Sequence, residues 1–470
     1  MLLVKQAPQL THVNKSRRVL LVCNDAIGQN MTGPAIRYWE FARVLSHYFT
    51  VTLAIPPLVQ ADSAPEALNP DFEVRLCKTQ ADLQALTHDT DVIITVGANL
   101  SVYPFLTKAG KPLVVDMYIP FMLEDLQKHV DRPINDRNIL HQASRGAHTL
   151  QIRAADFIIC ASEKQKDFWL GWLSALGRVN PYTVHDDPTL AKLIEVVPFG
   201  LPREAPVHHQ QVLKGVYKSI ASEDKIILWG GGIWNWLDPY TLIKAMALIS
   251  DTHPDIKLLF MGVKSPNSAS AKMETAAKAI KLSQELGLYD RQVFFNDWAP
   301  YQERENYLLE ADIGANLHLN HIETRFSFRT RFLDYIWARL PILTTEGDIM
   351  SDEVARWGLG KVVKNGDADR VSQALVELLT TPDLRQQYQP RFERVRVRYE
   401  WETVMAPLIK FCEAPYLAAD KHYLKHITLA EVSTSAWWSL PGKVWQTVRN
   451  YGAMALIPKA KEYLKWKLQK

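Results

Sequence analysis

Charged side chains of both signs gather between His321 and Asp348, directly before a strongly apolar segment. They are Glu323, Arg325, Arg329 and Arg331. Guanidinium forks match phosphate oxygens well, and carboxylates accept hydrogen bonds from hydroxyl groups. The stretch therefore predicts a site for a diphosphate joined to a sugar or a ribose, with Glu323 and Asp334 as hydroxyl acceptors. Glu323 and Arg329 are its candidate catalytic residues.

A strand and a helix must position this charge. The pattern predicts a strand over Asp312–Asn316 and a helix over Phe326–Trp337, with Ser327 and Phe328 at the helix start. The first amides of a helix lack intrahelical partners and attract anions. A solvated helix face with paired charges is the alternative interpretation, but the aromatic residues between the charges favour a ligand site.

Glycines follow the first strand of each half of the chain. Gly28 and Gly33 lie between an apolar strand and a proline-initiated helix, and Arg37 follows one turn later. In the second half, Gly231 and Gly232 follow the strand that begins at Lys225. Both arrangements are typical of phosphate-binding turns, although simple turn geometry explains the first equally well.

Apolar strands alternate with helices along most of the chain, which predicts doubly wound α/β domains. In such sheets ligands bind beyond the carboxyl ends of the strands. Asp116 ends one strand, and Tyr118 and Glu124 follow it, so we expect all three in the cleft. Asp116 is a candidate catalytic residue with helix capping as its alternative; Tyr118 and Glu124 are placed on the acceptor side.

The composition excludes several classes of protein. The 470 residues carry a net charge of +3, which is too small for a protein that coats nucleic acid. The four cysteines are far apart and form no CxxC pair, which predicts a reduced, cytoplasmic compartment and no metal site. No apolar run is long enough to span a bilayer.

The C-terminal segment, residues 436–470, is basic and rich in tryptophan. Such a segment suits the surface of an anionic membrane, with its rings at the headgroup boundary and its lysines over lipid phosphates. Packing against the body of the protein is the alternative.

The segment Leu333–Leu343, LDYIWARLPIL, resembles the sequence after the donor-binding turn of retaining GT-B glycosyltransferases, specifically glycosyltransferase family four ("group 1"). Asp334 takes the place of that family's second glutamate, which usually holds the nucleotide ribose. The position of the first glutamate holds Phe326, and Glu323 is the nearest candidate.

The resemblance also implies cations that this chain lacks. The family usually has an arginine and a lysine after the first strand of its second domain, where this chain has aromatic, amide and acidic residues. We expect Arg325, Arg329 and Arg331, with Lys264, to replace them at the diphosphate. Trp298 follows a later strand and could stack on the base, although core packing is the alternative.

By this resemblance the chain has two Rossmann-like domains that face a central cleft, residues 1–203 and 204–397. A cross-back helix at 398–414 and the tail at 415–470 follow. The implied activity is transfer of a sugar from a nucleotide-sugar donor to a glycan or lipid-linked acceptor hydroxyl, with retention and without cofactor or metal. A sugar-nucleotide epimerase and a non-catalytic donor-binding scaffold are the alternatives. The implied location is the cytoplasm, at the inner face of the membrane if the tail binds lipid.

Overall fold

The computed structural model describes residues 15–266 and 274–424. The first domain is a parallel seven-stranded sheet in the order β3-β2-β1-β4-β5-β6-β7. Its strands are β1 (Arg18–Val22), β2 (Thr50–Ile55), β3 (Glu73–Leu76), β4 (Val92–Val96), β5 (Leu113–Asp116), β6 (Phe157–Cys160) and β7 (Ile194–Val196). Its helices are α1 (Gly33–Ser46), α2 (Gln80–Leu86), α3 (Asn99–Val102), α4 (Phe121–Lys128), α5 (Ile134–Ala154), α6 (Glu163–Ala175) and α7 (Pro181–Asp186).

The second domain repeats this design with six parallel strands in the order β10-β9-β8-β11-β12-β13. The strands are β8 (Lys225–Gly232), β9 (Ile256–Gly262), β10 (Val293–Phe295), β11 (Ile313–Asn316), β12 (Ile342–Thr345) and β13 (Gly360–Val363). The helices are α8 (Pro239–Ile249), α9 (Glu274–Glu285), α10 (Arg304–Glu310), α11 (Ile322–Phe326), α12 (Arg331–Trp337), α13 (Ile349–Trp357), α14 (Ala368–Leu379) and α15 (Leu384–Arg396).

The central strands of both sheets are apolar because helices cover both faces of each sheet. Every residue of β4, β9 and β11 is buried. In each sheet the strand order reverses beside the first strand, so a crevice opens at the carboxyl ends of β1 and β4 and of β8 and β11. Ligands of doubly wound sheets bind at these two edges.

Three local predictions were wrong in detail. The helix predicted over Phe326–Trp337 is interrupted: α11 ends at Phe326 and α12 begins only at Arg331. The glycines after Trp229 extend β8, with an irregular register up to Gly232, and do not form a separate loop. The predicted terminal helix is divided into α16 (Trp401–Val404) and α17 (Ala406–Glu413), because a proline begins the second helix.

The chain crosses between domains twice at one place. Leu201 donates its N–H to the Tyr399 carbonyl at 2.8 Å and accepts from the Trp401 N–H at 3.1 Å. The Trp401 ring lies so close to Gly200 that a Cβ atom there would be 2.4 Å from it. Helix α17 then returns to the first domain, where Phe411 stacks on Phe157 with ring centroids 4.9 Å apart.

The described part of the segment assigned to a tail, residues 415–424, is built into the first domain. Asp420 is fully buried and accepts from Arg178 at 2.7 Å and 3.0 Å and from the Asn180 side chain at 3.0 Å. Residues 415–424 are therefore fixed to the first domain, since an ion pair without solvent requires fixed partners. The assignment of 415–470 as a basic aromatic tail stays a prediction. The basic aromatic segment 436–470 lies outside the described residues.

Candidate active site

A buried ion pair occupies the turn between α11 and α12. Arg329 donates from both terminal nitrogens to Glu323, with Nη1 to Oε1 at 2.8 Å and Nη2 to Oε2 at 2.6 Å. Glu323 is 1% exposed and Arg329 8%. The sequence placed these two residues in one site, and the structure joins them directly. Because the charge of Arg329 is already balanced, it is not the free phosphate-binding cation that the sequence suggested.

Residues beyond this pair support it from behind. Asp348, fully buried, begins α13 and has one carboxylate oxygen 3.8 Å from Arg329 Nε and 3.5 Å from His318 Nδ1. Burial raises the pKa of Asp348 to about 6, against the opposing effect of Arg329. Burial and the same arginine lower the pKa of His318 to about 3, so this imidazole is neutral at pH 7.

His321 forms the N-cap of α11 and lies beside the pair. Its Nδ1 accepts from the Thr324 N–H at 3.3 Å and lies 3.7 Å from Glu323 Oε2. Burial lowers the pKa of His321. Around the pair, His321 Nε2, Arg329 Nε and Asp348 Oδ2 are buried polar atoms without a hydrogen-bond partner among the described residues. The polar atoms around this pair are therefore not all bonded, and a ligand could complete their hydrogen bonds.

The first domain contributes a second carboxyl group to this place. Glu124 lies on α4, which packs against α11 across the domain interface. Burial and the nearby Glu323 carboxylate raise the pKa of Glu124 to about 8, while Arg329 acts in the opposite direction. Glu124 is thus protonated at pH 7 and can donate a hydrogen bond as well as accept one.

Arg331 is the cation best placed for an anionic ligand. Its Nη2 donates to the Gly232 carbonyl at 2.9 Å, and its guanidinium carbon lies 5.1 Å from the centroid of the Trp229 ring. Its Nη1 is buried without a partner among the described residues, and burial lowers the pKa of Arg331 to about 10. A bound anion would stabilise this charge. The sequence correctly grouped Arg331 with the glycine-containing end of β8.

Asp334 lies one turn into α12. Its Oδ1 accepts from Arg304 Nε at 3.2 Å, and 33% of its side chain is exposed. The carboxylate is thus held on one side and open on the other, as an acceptor for ligand hydroxyls must be. Its predicted contact with a ribose stays a prediction.

Arg37 and Asp116 form a second buried pair, wholly within the first domain. Arg37 donates to the Asp116 carboxylate at 2.6 Å and 3.1 Å and to the carbonyls of Val197 and Pro198. Both side chains are 0% exposed. Every nitrogen of this guanidinium is satisfied internally, which corrects the expectation that Arg37 binds the donor and Asp116 acts in catalysis. The Tyr118 ring stacks 4.6 Å from the Arg37 guanidinium carbon, so Tyr118 is part of this core and not an open acceptor contact.

The two glycines of the first loop behave differently. A Cβ atom on Gly33 would be 3.7 Å from Thr330 Oγ1, so this glycine lies against the start of α12 in the other domain. Gly28 instead lies against the backbone of Ala64. In β8, Gly231 has a φ of +77°, which side chains rarely adopt. The predicted contacts of Gly28 and Gly33 with the donor phosphates stay predictions; of the two, Gly33 is the one that faces the second domain.

Several predicted donor contacts are directed elsewhere. The Ser327 hydroxyl donates to the Thr324 carbonyl within its own turn. Phe328 packs toward Tyr399 near the domain crossing, with ring centroids 6.4 Å apart. Arg325 is exposed and lies beside the Phe326 ring. None of these three contacts is with the Glu323–Arg329 pair, and the predicted contacts of these residues with the donor stay predictions.

Two further residues lie at the carboxyl edge of the second sheet. Lys264 is 72% exposed and pairs with Asp297 at 2.7 Å. Its predicted contact with the diphosphate stays a prediction. Trp298 is half-buried and packs on Gly262, where a Cβ atom would be 2.7 Å from the ring. Stacking of Trp298 on a base stays a prediction.

Sequence reasoning missed the residue that fixes the two domains to one another at this site. Gln165 on α6 is fully buried, and its Nε2 donates to the carbonyls of Tyr118 at 2.9 Å and Phe326 at 2.8 Å, one in each domain. Phe168 contacts the Phe326 ring at 4.9 Å. The S-x-x-Q sequence at Ser162 predicts a helix start but not this bridging role.

The site therefore lies between two Rossmann-like domains, with its main charges on the second. Residues 218–394 match the family model of glycosyl transferases group 1. The group 1 glycosyltransferase match contains β8 through most of α15, and so includes Glu323, Arg329, Arg331 and Asp334. A search of curated proteins gives no significant match.

Solved structures share the arrangement of both domains. HepE from Anabaena, in complex with UDP and glucose, has a TM-score of 0.62 at 14% identity, and the alignment covers 85% of this chain and 100% of that one. Sucrose-phosphate synthase from Thermosynechococcus elongatus has a TM-score of 0.57 at 14% identity, covering 85% and 100%. WaaG, a glycosyltransferase involved in lipopolysaccharide biosynthesis, has a TM-score of 0.56 at 15% identity, covering 84% and 100%.

These likenesses confirm the predicted GT-B fold of two Rossmann-like domains. Among the residues that the structure describes, no helix has the length and hydrophobicity required to traverse a membrane.

Proposed function

We propose that the protein is a glycosyltransferase that moves a sugar from a nucleotide-sugar donor to an acceptor hydroxyl with retention of configuration. The observation that carries this proposal is the match of residues 218–394 to group 1 glycosyl transferases, in a segment that places the Glu323–Arg329 pair at the domain interface. HepE, which shares the fold, was also solved with UDP-glucose, which supports a nucleotide-sugar donor.

The donor diphosphate would lie between Arg331 and the end of β8. Arg331 has a buried nitrogen to offer, and Gly33 of the first domain lies across from Thr330, close to the start of α12. A guanidinium at the diphosphate stabilises the negative charge that develops when the sugar departs. Asp334, open on one side, would accept from the ribose hydroxyls.

The sugar would lie near Glu323 and Glu124, one carboxyl group from each domain. In the transfer, the bond from the anomeric carbon to the diphosphate breaks and a bond to the acceptor oxygen forms on the same face. The acceptor proton passes to the departing phosphate. Glu124, protonated below about pH 8, can hold an acceptor or sugar hydroxyl beside the Glu323 carboxylate. Closure of the domains over the site would exclude water and limit hydrolysis of the donor.

The acceptor class and the location are proposed from the fold and from the composition of the C-terminal segment. We propose a glycan or lipid-linked acceptor in cell-envelope synthesis, at the cytoplasmic face of the membrane. The support is the similarity in fold to WaaG and the basic aromatic composition of residues 436–470. On this scheme fixed cations stabilise the leaving group, and we propose that neither cofactor nor metal takes part.

A panel of nucleotide sugars tests the reaction. Purified full-length protein is incubated with each, and release of free nucleotide is measured together with the configuration of the sugar by NMR. Release from one donor, with the product anomer unchanged, is expected. Isomerisation of the sugar without release would indicate an epimerase, and binding without either would indicate a scaffold; both would contradict the proposal.

A matched pair of variants connects the reaction to the site. Arg331→Ala should weaken binding of the active nucleotide by roughly tenfold or more, because a charge-assisted contact to phosphate is lost. Arg370→Ala, which removes an exposed arginine on α14 of the same domain, should change the affinity for this nucleotide less than twofold. Equal effects of the two changes would exclude Arg331 as the diphosphate contact.

A further inference from the structure

Asp334 is connected to the rest of the second domain through Arg304, the first residue of α10. Arg304 donates from Nε to Asp334 Oδ1 at 3.2 Å and from Nη1 to the Tyr301 carbonyl at 2.7 Å. Its guanidinium carbon lies 3.9 Å from the centroid of the Tyr301 ring and 4.7 Å from that of Trp337. Two hydrogen bonds and two stacked rings leave this guanidinium a single orientation, and with it the Asp334 carboxylate.

Tyr301 extends the connection into the first domain. Its hydroxyl donates to Glu40 Oε1 on α1 at 2.9 Å, and its N–H donates to the Gln29 carbonyl at 2.8 Å. Gln29 lies in the loop before α1, next to Gly28. Glu40 is 5% exposed, so its bond to the tyrosine is shielded from water. These bonds can exist only when the two domains are together.

We propose that Arg304 and Tyr301 are positioning residues that make ligand binding at Asp334 depend on closure of the two domains. This inference rests on the proposed function, because it takes the ligand group at Asp334 to be the ribose of a nucleotide. In the closed arrangement Tyr301 is held by Glu40 and Gln29, its ring supports Arg304, and Arg304 turns the exposed side of the Asp334 carboxylate toward the ligand.

The physical consequence is reciprocal. If closure orients Asp334 for hydroxyl groups, then a nucleotide that uses Asp334 must favour closure by the same free energy. Without the hydroxyl of Tyr301, the closed state loses a hydrogen bond to a buried carboxylate, while the body of each domain is unchanged. The effect should therefore be seen in nucleotide affinity and in domain separation, and little in the stability of either domain.

Tyr301→Phe in the full-length protein tests this link. The dissociation constants of UDP, GDP and ADP are measured by calorimetry, and the radius of gyration is measured by X-ray scattering with and without nucleotide. We expect the nucleotide that wild type binds to bind roughly tenfold more weakly, as for a lost hydrogen bond to a charged group, and the free protein to become larger. Tyr217→Phe, at a half-buried tyrosine elsewhere in the second domain, is the matched control. It should change neither the nucleotide dissociation constant nor the radius of gyration.

A double-variant cycle separates positioning from general damage. Glu40→Ala removes the acceptor of this bond and also the partner of Arg43 at 2.8 Å, so it should weaken binding at least as much. Adding Tyr301→Phe to Glu40→Ala should weaken binding little further, because the bond between the two residues is already lost. The inference would be overturned if Tyr301→Phe had the nucleotide affinity and the radius of gyration of wild type. It would also be overturned if the losses of affinity in the two single variants added fully in the double variant. If wild type binds none of the three nucleotides, the proposed function fails, and the radii of gyration still decide whether Tyr301 holds the domains together.

Discussion

The two buried arginine–carboxylate pairs of this protein have the same chemistry and different surroundings. Arg37 and Asp116 lie inside the first domain, and all guanidinium nitrogens have protein acceptors. Arg329 and Glu323 lie at the domain interface, where Arg329 Nε has no partner and a second carboxyl group, Glu124, lies nearby. Burial and charge alone would make the two pairs equally good candidates for an active site.

The difference shows that complete bonding of the guanidinium group distinguishes the pair inside the first domain from the pair at the interface. A fully bonded pair has nothing to offer a ligand and serves to join β5, α1 and the segment after β7. A pair with unsatisfied neighbours is placed where a ligand could complete the bonding. Sequence reasoning named all four residues as functional, and only the interface pair has an atom of its own, Arg329 Nε, left without a partner among the described residues.

The largest expected effect is on the structural pair. Asp116→Ala leaves the Arg37 guanidinium buried and unpaired, which should lower the free energy of unfolding by about 3–5 kcal/mol. Urea denaturation of the purified variant measures this loss. Asp352→Ala, which removes an exposed partner of Lys164, is the control and should cost under about 1 kcal/mol. A similar small loss in both variants would show that Arg37 finds another partner.

Arg329→Ala should destabilise the protein less, by about 1–2 kcal/mol, because Glu323 can regain water if the domains separate slightly. Its effect on function should be larger: release of nucleotide from the active donor should fall at least tenfold, or about 1.4 kcal/mol in barrier. Denaturation and donor turnover are measured on the same preparation. Normal turnover would place the chemistry elsewhere in the interface.

The interface pair should also create a pH dependence through Glu124. The folded state raises the pKa of this carboxyl from its usual 4.5 to about 8, so between these values the folded protein binds a proton that the unfolded chain releases. Stability should therefore fall as pH rises from about 4.5 to 8, by at most about 1.4 kcal/mol per pH unit from this group. Denaturation midpoints of wild type and Glu124→Gln between pH 5 and 9 test this, since the variant should lose that part of the slope. If the stabilities of wild type and Glu124→Gln changed in parallel with pH, Glu124 would not be the source of the pH dependence.

The smallest effect is expected at Lys264, whose partner Asp297 is equally exposed. Lys264→Ala should change the free energy of unfolding by less than about 1 kcal/mol, because solvent screens such pairs. Nucleotide affinity, measured by calorimetry, should change less than twofold. A tenfold loss of affinity would instead show that Lys264 contacts the donor, and that an exposed ion pair can take part in binding as well as a buried one.

The sequence by itself determined the sheets and the region of the site. The strand predicted over Asp312–Asn316 is β11, and Asp116 ends a strand as predicted. A strand covered by helices on both faces is apolar throughout, so its own residues are enough to predict it. The charged stretch after β11, predicted as a ligand site, lies at the domain interface. Its helix was drawn too long, since helical spacing does not reveal the interruption between Phe326 and Arg331.

Only the tertiary structure decided which side chains could act. Arg37 meets Asp116 seventy-nine positions away, and Gln165 meets the Phe326 carbonyl across 161 positions. No local pattern encodes such partners, because the free energy of a buried charge depends on groups that folding brings from distant parts of the chain. Residue type and spacing therefore predicted a ligand-binding role for Arg37, Arg329 and Arg331 alike. Among these three arginines, only Arg331 has a buried terminal nitrogen without a partner in the described part of the chain.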